Sequence, residues 1–574
     1  MRGKSVLALG GLGVSCVLAG GATVVACAAP PKYVTSDIGG LQAEFNPNSA
    51  QNDVLVAQAN AVRTNGTAAA QALLAQKTIL IAAGGKRTDQ SFNQSVWEAI
   101  SKFSMEVGQP DNGFYETARI ADDEQFNAYD FAIAKGFKFW ILTGFYQEGE
   151  LGRWLLKGNN TARFLANQTI VITVDWYPDD DPDAAGNGNP IKAAFQRIKG
   201  HILGLNFKTQ ESAFVTAYAA ARLLSEIHAD DPRLFPSGQT YLNSFGGGDF
   251  AGVTNFNYGF YEGLRQFNED MMAGTIFPNQ AKYFIRASAP VELSTGFALT
   301  NAAKAAVERQ VDGTPGQMPP QIIFPVAGSL TAATIQRVRA KNQGQWIIGV
   351  DTDQALAFPN ERDSLLTSVE KRIASAVYKA LITLYGLTYT DAVNLLPPAY
   401  QLDDQRVIHH QGHLSNFNSV GGYDRQLVGV APSTLSAQLV FQKRQNRAGK
   451  PLTYAQRYDA LVAATQQSFF GSDGQSGRLY QPLSDVQHHG LKPPDEVIAD
   501  FNRALKTEWP IIKDRDGLSP GDPNGWANDQ ARAQAVQANI VKVMALKNVA
   551  FGFLTAANQE NYFMPIVKMI NDLG

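Results

Sequence analysis

The chain has 574 residues, of which 45% are hydrophobic and 10% aromatic, and its formal net charge at pH 7 is −3. This length predicts two to four domains with sizeable cores. The nearly neutral charge gives no electrostatic reason to expect nucleic acid as a partner. Beyond the N-terminal segment, no run approaches the roughly 20 apolar residues that a membrane span needs.

The N-terminus has the features of a secretory signal over residues 1–26. Arg2 and Lys4 precede an apolar segment, and small residues lead up to Cys27. The sequence before this cysteine resembles the lipobox of bacterial lipoproteins, in which lipid is attached to the thiol and cleavage leaves the cysteine first. The resemblance implies a lipid anchor at Cys27 on the extracellular face of the cell membrane, with two or more acyl chains for stable attachment. The alternative is an uncleaved export signal with an incidental cysteine.

Residues 27–76 are rich in alanine, asparagine, glutamine, proline and glycine, and they contain few large apolar side chains. Such a composition predicts a flexible tether between the membrane and the folded body. Within this segment, residues 54–62 could form one or two turns of helix.

From residue 77 onward, strand-like apolar runs alternate with segments of helical period. Strands are predicted over residues 78–83, 114–118, 139–142, 169–174, 204–207, 241–245, 283–285, 321–326 and 346–350. Helices are predicted over residues 91–105, 211–227, 255–268, 330–341 and 367–385. This alternation predicts parallel, doubly wound sheets, and its length favours two α/β lobes that face each other.

Residues 88–98 directly follow the first strand of this region and open the first helix. In an open α/β sheet, ligands bind beyond the carboxyl ends of the strands. Asp89, Phe92 and Asn93 therefore lie where a small molecule would be held. In the alternative interpretation, Asp89 or Ser91 only caps the helix and Phe92 packs into the core.

Residues 89–98 also resemble the opening signature of the basic membrane protein (BMP) family. Members of this family are substrate-binding lipoproteins of ABC importers, and several of them bind purine nucleosides. Further motifs match in the same order at residues 144–145, 207–214, 259–263, 323–328, 348–354, 366–372 and 427–432. The resemblance covers residues 78–432.

The resemblance implies a type I periplasmic-binding-protein fold over residues 77–432, with two lobes joined by a hinge. The first lobe is expected at about 77–205, with a return near 355–390, and the second at about 206–350. Ligand is expected in the cleft between the lobes.

Within that cleft, the resemblance and the residue types together predict how a nucleoside would be held. Phe92 from the first lobe and Phe256 from the second would stack on the base. Asn93 offers both a donor and an acceptor to the base edge, and Asp89 is a second candidate for base or ribose.

Two further carboxylates and a lysine complete the predicted site. Asp175 and Asp351 each follow a strand, at the edge where they could accept hydrogen bonds from the ribose hydroxyls. Lys371, placed near the start of the next helix, matches a cleft lysine of the family and could donate to a ribose oxygen. In the alternative, both aspartates are caps and Lys371 is solvated.

Several other patterns do not support a metal or a cofactor. Residues 181–186 resemble half of a calcium loop, but Lys192 stands where a bidentate glutamate is needed. The histidines at 409, 410 and 413 do not have metalloprotease spacing, and the glycines at 246–248 lack the dinucleotide-binding spacing. The sequence also contains no Walker loop, so an importer would need separate permease and ATPase subunits.

The resemblance ends near residue 432, and residues 433–574 form an extension. Helices are predicted there over residues 436–446, 454–467, 495–507, 529–545 and 559–573. A helical appendage packed on one lobe, a docking surface and a separate module are all compatible with this pattern.

These observations predict a surface-anchored solute-binding lipoprotein that captures a nucleoside, with purines favoured, by lobe closure and delivers it to an ABC importer. The main alternative is a surface adhesion or structural lipoprotein on the same fold that has no transported ligand. An exported enzyme such as a nucleoside hydrolase would need a metal-binding aspartate cluster or a nucleophile–base pair, and neither has convincing spacing here.

Overall fold

The computed structural model describes residues 50–82, 89–108, 122–178, 190–234, 240–248, 250–274, 283–288, 292–313, 318–388, 395–474 and 476–477. Several predictions therefore lie outside the described residues: the signal segment with Cys27, the strand at 114–118, the calcium-like loop at 181–186 and all predictions beyond residue 477. Within the described part of the chain, no helix is both long and apolar enough to cross a membrane.

The helices are numbered in chain order. They are α1 (Ala50–Asn65), α2 (Ala68–Leu74), α3 (Phe92–Glu106), α4 (Asp122–Ala134), α5 (Gln147–Leu156), α6 (Asn160–Ala166), α7 (Pro190–Arg197), α8 (Thr209–Asp230), α9 (Ala251–Ala273), α10 (Asn301–Asp312), α11 (Leu330–Lys341), α12 (Gln354–Ala357), α13 (Ile373–Leu384) and α14 (Tyr454–Phe470). Short 3-10 turns occur at Pro232–Leu234, Arg362–Ser364 and Tyr423–Arg425.

Up to residue 371, the strands alternate with these helices as predicted. They are β1 (Thr78–Ala82), β2 (Phe139–Thr143), β3 (Ile170–Val174), β4 (Ile202–Phe207), β5 (Thr240–Gly246), β6 (Ile285–Ala287), β7 (Ile322–Val326), β8 (Trp346–Asp351), β9 (Leu365–Lys371), β10 (Tyr400–Leu402), β11 (Ile408–His410), β12 (His413–Leu414), β13 (Phe417–Gly421), β14 (Val428–Val430), β15 (Val440–Gln445) and β16 (Pro451–Thr453).

Two sheets form the centres of two lobes. The first lobe has a parallel sheet in the order β1-β2-β3-β4-β13, and the second has the order β14-β9-β8-β7-β5-β6, in which only β14 is antiparallel to its neighbour. Strands β1 to β4 are buried along their whole length. Burial on both faces explains why these strands are continuous apolar runs instead of alternating ones. The predicted α/β fold with two doubly wound lobes is confirmed.

The chain crosses between the lobes three times, which builds the hinge. The crossings follow β4, β9 and β13, and backbone hydrogen bonds tie them together. Lys208 N donates to Gly421 O, and Arg372 N donates to Leu427 O, each over 2.9 Å. The return to the first lobe thus begins at residue 372, not near 355, because β9 still belongs to the second sheet.

The helix predicted over residues 367–385 is wrong in its first part. Residues 365–371 form β9, and the helix α13 begins only at Ile373. Over such a short stretch, an apolar segment flanked by polar residues fits both the period of a helix and that of a strand. Pairing with β8 on one side and β14 on the other decides in favour of the strand.

The flexible tether is corrected for residues 50–74, which form α1 and α2. Leu55 and Ala59 on α1 are buried, and the helix lies against α3 of the first lobe. The side chain of Gln58 exchanges hydrogen bonds of 2.9 Å with the backbone of Thr388. An apolar stripe that is only two residues wide gave too weak a signal to predict this packing.

The described part of the extension is a layer of the second lobe. Residues predicted as a helix at 436–446 instead contribute β15 to a hairpin with β16, whereas α14 confirms the helix predicted at 454–467. Helix α14 packs on α8, with Phe469 against Phe214 at a ring-centroid distance of 4.9 Å. Glu226 of α8 accepts hydrogen bonds from Arg444 and Arg457. Residues 433–474 are therefore an appendage packed on one lobe.

Candidate ligand-binding cleft

A cleft separates the carboxyl ends of the strands of the two sheets. It encloses about 780 Å³ of space, part of which is open to solvent. It is lined by Asp89, Ser91, Phe92, Asn93, Gly144, Phe145, Tyr146, Asp175, Phe250, Gly252, Val253, Phe297, Val326, Ala327, Gly328, Ser329, Val350, Asp351 and Lys371. The structure thus brings six of the seven predicted ligand-binding residues together, and Phe256 is the exception.

Asp89 lies at the cleft but its carboxylate caps helix α3. Backbone N–H groups of Ser91, Asn93 and Gln94 donate to its two oxygens over 3.0 to 3.1 Å. The side-chain amide of Asn93 adds a fourth hydrogen bond of 2.9 Å. Burial raises the pKa of Asp89 to about 6, although these backbone donors act to lower it. The capping interpretation thus accounts for these four hydrogen bonds of Asp89.

Asn93 and Phe92 stand side by side at the start of α3. Asn93 is buried and its amide is used within the first lobe, because Oδ1 accepts from Thr143 Oγ1 over 2.6 Å while Nδ2 donates to Asp89. Phe92 is half-buried and lines the cleft. Of these two residues, Phe92 is the more available to a ligand.

Asp175 and Asp351 occupy equivalent places in the two lobes. Asp175 follows β3 in the first sheet, and Asp351 ends β8 in the second. Both have left-handed backbone conformations, with φ of +69° and +68°. Such a conformation is uncommon for residues other than glycine and persists where the surrounding structure imposes it, often at functional sites. In each lobe it turns a carboxylate into the cleft.

Lys371 joins the two aspartates. Its ammonium group forms ion pairs with Asp175 and, over 3.4 Å, with Asp351, and it donates to the carbonyl oxygen of Gly252 over 3.1 Å. Only 3% of its side chain is exposed, so it is not a solvated lysine. Its position is also corrected, because Lys371 is the last residue of β9 and not part of a helix.

Burial and charge compete in this cluster. Burial lowers the pKa of Lys371, but the carboxylates of Asp175 and Asp351 outweigh this effect and leave the pKa raised. Burial raises the pKa of Asp175, and the attraction of Lys371 offsets part of that rise. The cluster therefore holds a charged ammonium group between carboxylates that come from different lobes.

Phe256 does not line the cleft, which corrects the prediction that it forms the second stacking ring. It is fully buried in the core of the second lobe, where it packs edge-to-face on Phe324. The ammonium group of Lys371 lies 4.8 Å from its ring centroid and 5.3 Å from that of Phe92. Helix α9 begins at Ala251, so Phe256 falls in its second turn and faces the sheet.

Sequence reasoning missed several side chains of the cleft, including one that links the lobes and four that are aromatic. Ser91 donates from Oγ to Asp351 Oδ2 over 2.9 Å and thereby links the two lobes. The other four are aromatic: Phe145, Tyr146, Phe250 and Phe297. The sequence did contain a signal for these four rings, because glycines stand next to aromatic residues directly after β2 and β5. Glycine at the end of a strand permits an aromatic ring to approach the backbone closely.

The cleft thus combines an apolar aromatic lining with a charged floor. Asp351 Oδ1 is buried, and its contact with the ammonium group of Lys371 is long, at 3.4 Å, and does not have hydrogen-bond geometry. A buried acceptor with only such a long contact would gain from a hydrogen-bond donor on a ligand or a water molecule. Among the described residues, no group of three or more histidine, cysteine, aspartate or glutamate side chains is arranged to hold a metal ion.

The comparisons with known proteins agree with the motifs. Basic membrane protein A1 of Borrelia garinii subsp. bavariensis is 23% identical over 298 residues, which cover 51% of this chain and 68% of that protein. Basic membrane protein A of Borreliella burgdorferi is 27% identical over 180 residues, which cover 31% of this chain and 42% of that protein. The resemblance to basic membrane proteins is thereby confirmed. No family model matches the chain.

Solved structures similar to this chain include solute-binding proteins of ABC transporters. One from Aeropyrum pernix K1 has a TM-score of 0.43 and 14% identity, and the match covers 82% of this chain and 99% of that protein. A sugar-binding protein from Bacillus halodurans has a TM-score of 0.38 and 14% identity, with 62% and 97% covered.

Proposed function

We propose that this chain, which is similar to basic membrane proteins, is a solute-binding protein that encloses a nucleoside in its cleft. It binds the nucleoside without making or breaking a covalent bond. The observation that carries the proposal is the buried cluster of Asp175, Lys371 and Asp351, which brings both lobes together beneath aromatic rings. A nucleoside offers the matching groups, namely sugar hydroxyls and a flat base.

The cluster suits a sugar that carries hydroxyl groups. Among the described residues Asp351 Oδ1 has a long contact to Lys371 but no hydrogen bond, so it could accept one from a sugar hydroxyl. Lys371 could donate to a sugar oxygen while it keeps one carboxylate as its partner. The half-buried ring of Phe92 offers a face to a base, and one stacked base is worth about 1–3 kcal/mol.

Binding would work through lobe closure. Lys371 with Asp175, and Ser91 with Asp351, connect the lobes across the cleft. A ligand that contacts both lobes binds the closed form better than the open form, and this difference in affinity shifts the equilibrium. The closed protein would then deliver the ligand to an ABC permease and ATPase. Export and a lipid anchor at Cys27 belong to the same proposal.

One observation favours the alternative of a surface adhesion or structural lipoprotein. Most polar groups of the cleft already have partners within the protein: Asp89 caps α3, Asn93 bonds Asp89 and Thr143, and Lys371 pairs with Asp175. A protein that had lost its ligand would also show such internal pairing.

The two functions are separated by measuring nucleoside binding to the purified protein. Small molecules that co-purify are extracted and identified by mass spectrometry, and adenosine, guanosine and inosine are titrated by calorimetry. A bound nucleoside at a hundredfold excess over its dissociation constant should raise the unfolding free energy by about 2.7 kcal/mol. Absence of binding by all three purine nucleosides, with none extracted, would favour the adhesion function.

A matched pair of variants tests the cluster itself. Asp351→Asn removes the charge and one acceptor at the cleft, so it should weaken nucleoside binding. Asp353→Asn makes the same change two residues away, where the carboxylate caps α12 and does not line the cleft. Equal affinity of both variants would show that the cleft is not the binding site.

A further inference from the structure

Four aromatic rings surround the mouth of the cleft. Phe145 and Tyr146 follow β2 on the first lobe, and their side chains are 41% and 45% exposed. Phe250 and Phe297 belong to the second lobe, and all four rings line the cleft. The exposed rings of the first lobe thus face the partly buried rings of the second lobe, and together they form an apolar contact between the lobes.

Phe250 is the centre of this group. Its ring is stacked on that of Phe145, with centroids 5.5 Å apart and planes within 6° of parallel. Tyr146 meets the same ring edge-on at 6.1 Å, and Phe297 lies 5.8 Å away. Since Phe145 and Phe250 come from different lobes, their stack exists only while the cleft is closed.

The glycine run that follows β5 explains how Phe250 and Phe297 are held. A Cβ atom on Gly247 would lie 2.6 Å from the ring of Phe297, and one on Gly248 would lie 2.6 Å from the ring of Phe250. The rings thus rest directly on the backbone of the run. This run has no nucleotide-binding spacing, and its structural role is to seat the two rings.

The ring on the opposite side is mounted differently. Phe145 directly follows Gly144, whose φ is +91°. A backbone at this angle favours glycine and turns the chain sharply after β2. Phe145 is therefore carried on an exposed turn of the first lobe and meets a fixed ring of the second lobe.

We infer that Phe145 and Phe250 are specificity-determining residues that form a gate over the bound ligand. This inference deepens the proposed function and rests on it. A ligand that lies wholly below the rings allows them to stack, whereas a ligand with a group that protrudes through the mouth keeps them apart. The gate thus selects ligands by their length, because a ligand must fit below the two rings. The ligand leaves only after the stack has opened.

The first test measures how fast adenosine dissociates from the full-length protein in stopped-flow displacement. Phe145→Ala removes one ring of the stack and should speed dissociation about 2- to 12-fold, the factor that corresponds to an aromatic pair. Phe131→Ala is the matched control, because Phe131 is 37% exposed on α4 and packs on Phe137 away from the cleft. Equal rates for the wild type and Phe145→Ala would overturn the gate.

The second test measures whether the protein prefers a short ligand to longer ones. Wild-type protein should bind adenosine at least tenfold better than either N6-benzyladenosine or 5′-O-benzoyladenosine, which extend the ligand at opposite ends without adding charge. Phe145→Ala should reduce this preference at least threefold for one of them. A wild type that does not discriminate, or a preference that Phe145→Ala leaves intact, would overturn the assignment.

A third measurement separates the gate from the proposed function, because it needs no ligand. The two native cysteines are first replaced by Cys16→Ser and Cys27→Ser, so that they do not react with the label. Spin labels are then attached through Ala134→Cys and Ala340→Cys, at exposed positions on the two lobes, and the distance between them is measured. Phe145→Ala should lower the ratio of closed to open forms by the same factor of about 2 to 12. An unchanged distance distribution would refute the gate, whereas failure of every nucleoside to bind wild type would refute the proposed function.

Discussion

Replacement of Lys371 by methionine should open the cleft of the ligand-free protein. Methionine keeps the length of the side chain but leaves Asp175 and Asp351 without the ammonium group that lies between them. Removal of one partner from a buried ion pair is destabilising by about 3–5 kcal/mol, because the remaining charge stays buried and uncompensated. The two carboxylates belong to different lobes, so separation of the lobes would hydrate both.

The expected shift follows from these magnitudes. Two interconverting conformations of a protein typically differ in free energy by only a few kcal/mol. A penalty of about 3–5 kcal/mol on the closed form changes the ratio of closed to open molecules by more than about a hundredfold, since each 1.4 kcal/mol is tenfold. Lys371→Met should therefore be mainly open at neutral pH, and small-angle X-ray scattering should show a larger radius of gyration than for the wild type.

Two further variants isolate the cause. Adding Asp175→Asn to Lys371→Met removes the interlobe repulsion and should restore the compact form. Lys341→Met removes a surface partner of Asp312, where the lysine side chain is 35% exposed, and should change little because exposed ion pairs contribute about 0–1 kcal/mol. If Lys371→Met stays as compact as the wild type at pH 7.5, the cluster does not hold the lobes together and the reasoning fails.

Three other predictions concern the cleft, the cap of α3 and the extension. Gly252→Ala places a Cβ atom 2.7 Å from Asp175 Oδ2, so it should hinder closure and weaken adenosine binding in calorimetry. Gly149→Ala on α5 should have no such effect, because its Cβ atom would meet only Arg153 Nη1 at 3.7 Å, an ordinary van der Waals contact. The carboxyl group of Asp89 should titrate near pH 6 in NMR. Because its pKa is raised in the folded state, its contribution to stability is complete below the unfolded pKa of about 3.8 and is lost as the pH rises through 6. A measured pKa below 4 would contradict this prediction. Phe469→Ala should lower the unfolding free energy by about 3–5 kcal/mol in urea titration, and a loss below 1 kcal/mol would mean that α14 is not part of the second-lobe core.

The parts of the site that could be predicted lie at the ends of parallel strands. Asp175 and Asp351 each follow an apolar run, and the carboxyl ends of parallel strands fall on the same edge of their sheet. The helix at Leu330–Lys341 was predicted to the residue because its apolar period and its polar flanks agree. Strong local patterns of this kind require no knowledge of their neighbours.

The parts that could not be predicted depend on contacts between distant segments. The positions of Phe256 and Phe250 differ by less than two helical turns, and only the packing of α9 on the sheet decides that the first is core and the second lines the mouth. Likewise, β9 is a strand because β8 and β14 flank it, not because of its own sequence.

By itself, the sequence determined the α/β class, most elements of both lobes, the resemblance to basic membrane proteins and six of the residues that line the cleft, because periodicity and strand-end position are local properties. Only the tertiary structure decided that Lys371 lies between carboxylates of opposite lobes, that Asp89 is used as a cap, that residues 433–474 cover the second lobe and that Phe145 stacks on Phe250. Each of these depends on how two segments far apart in the chain are oriented toward each other, which is set by packing and by the burial of charge.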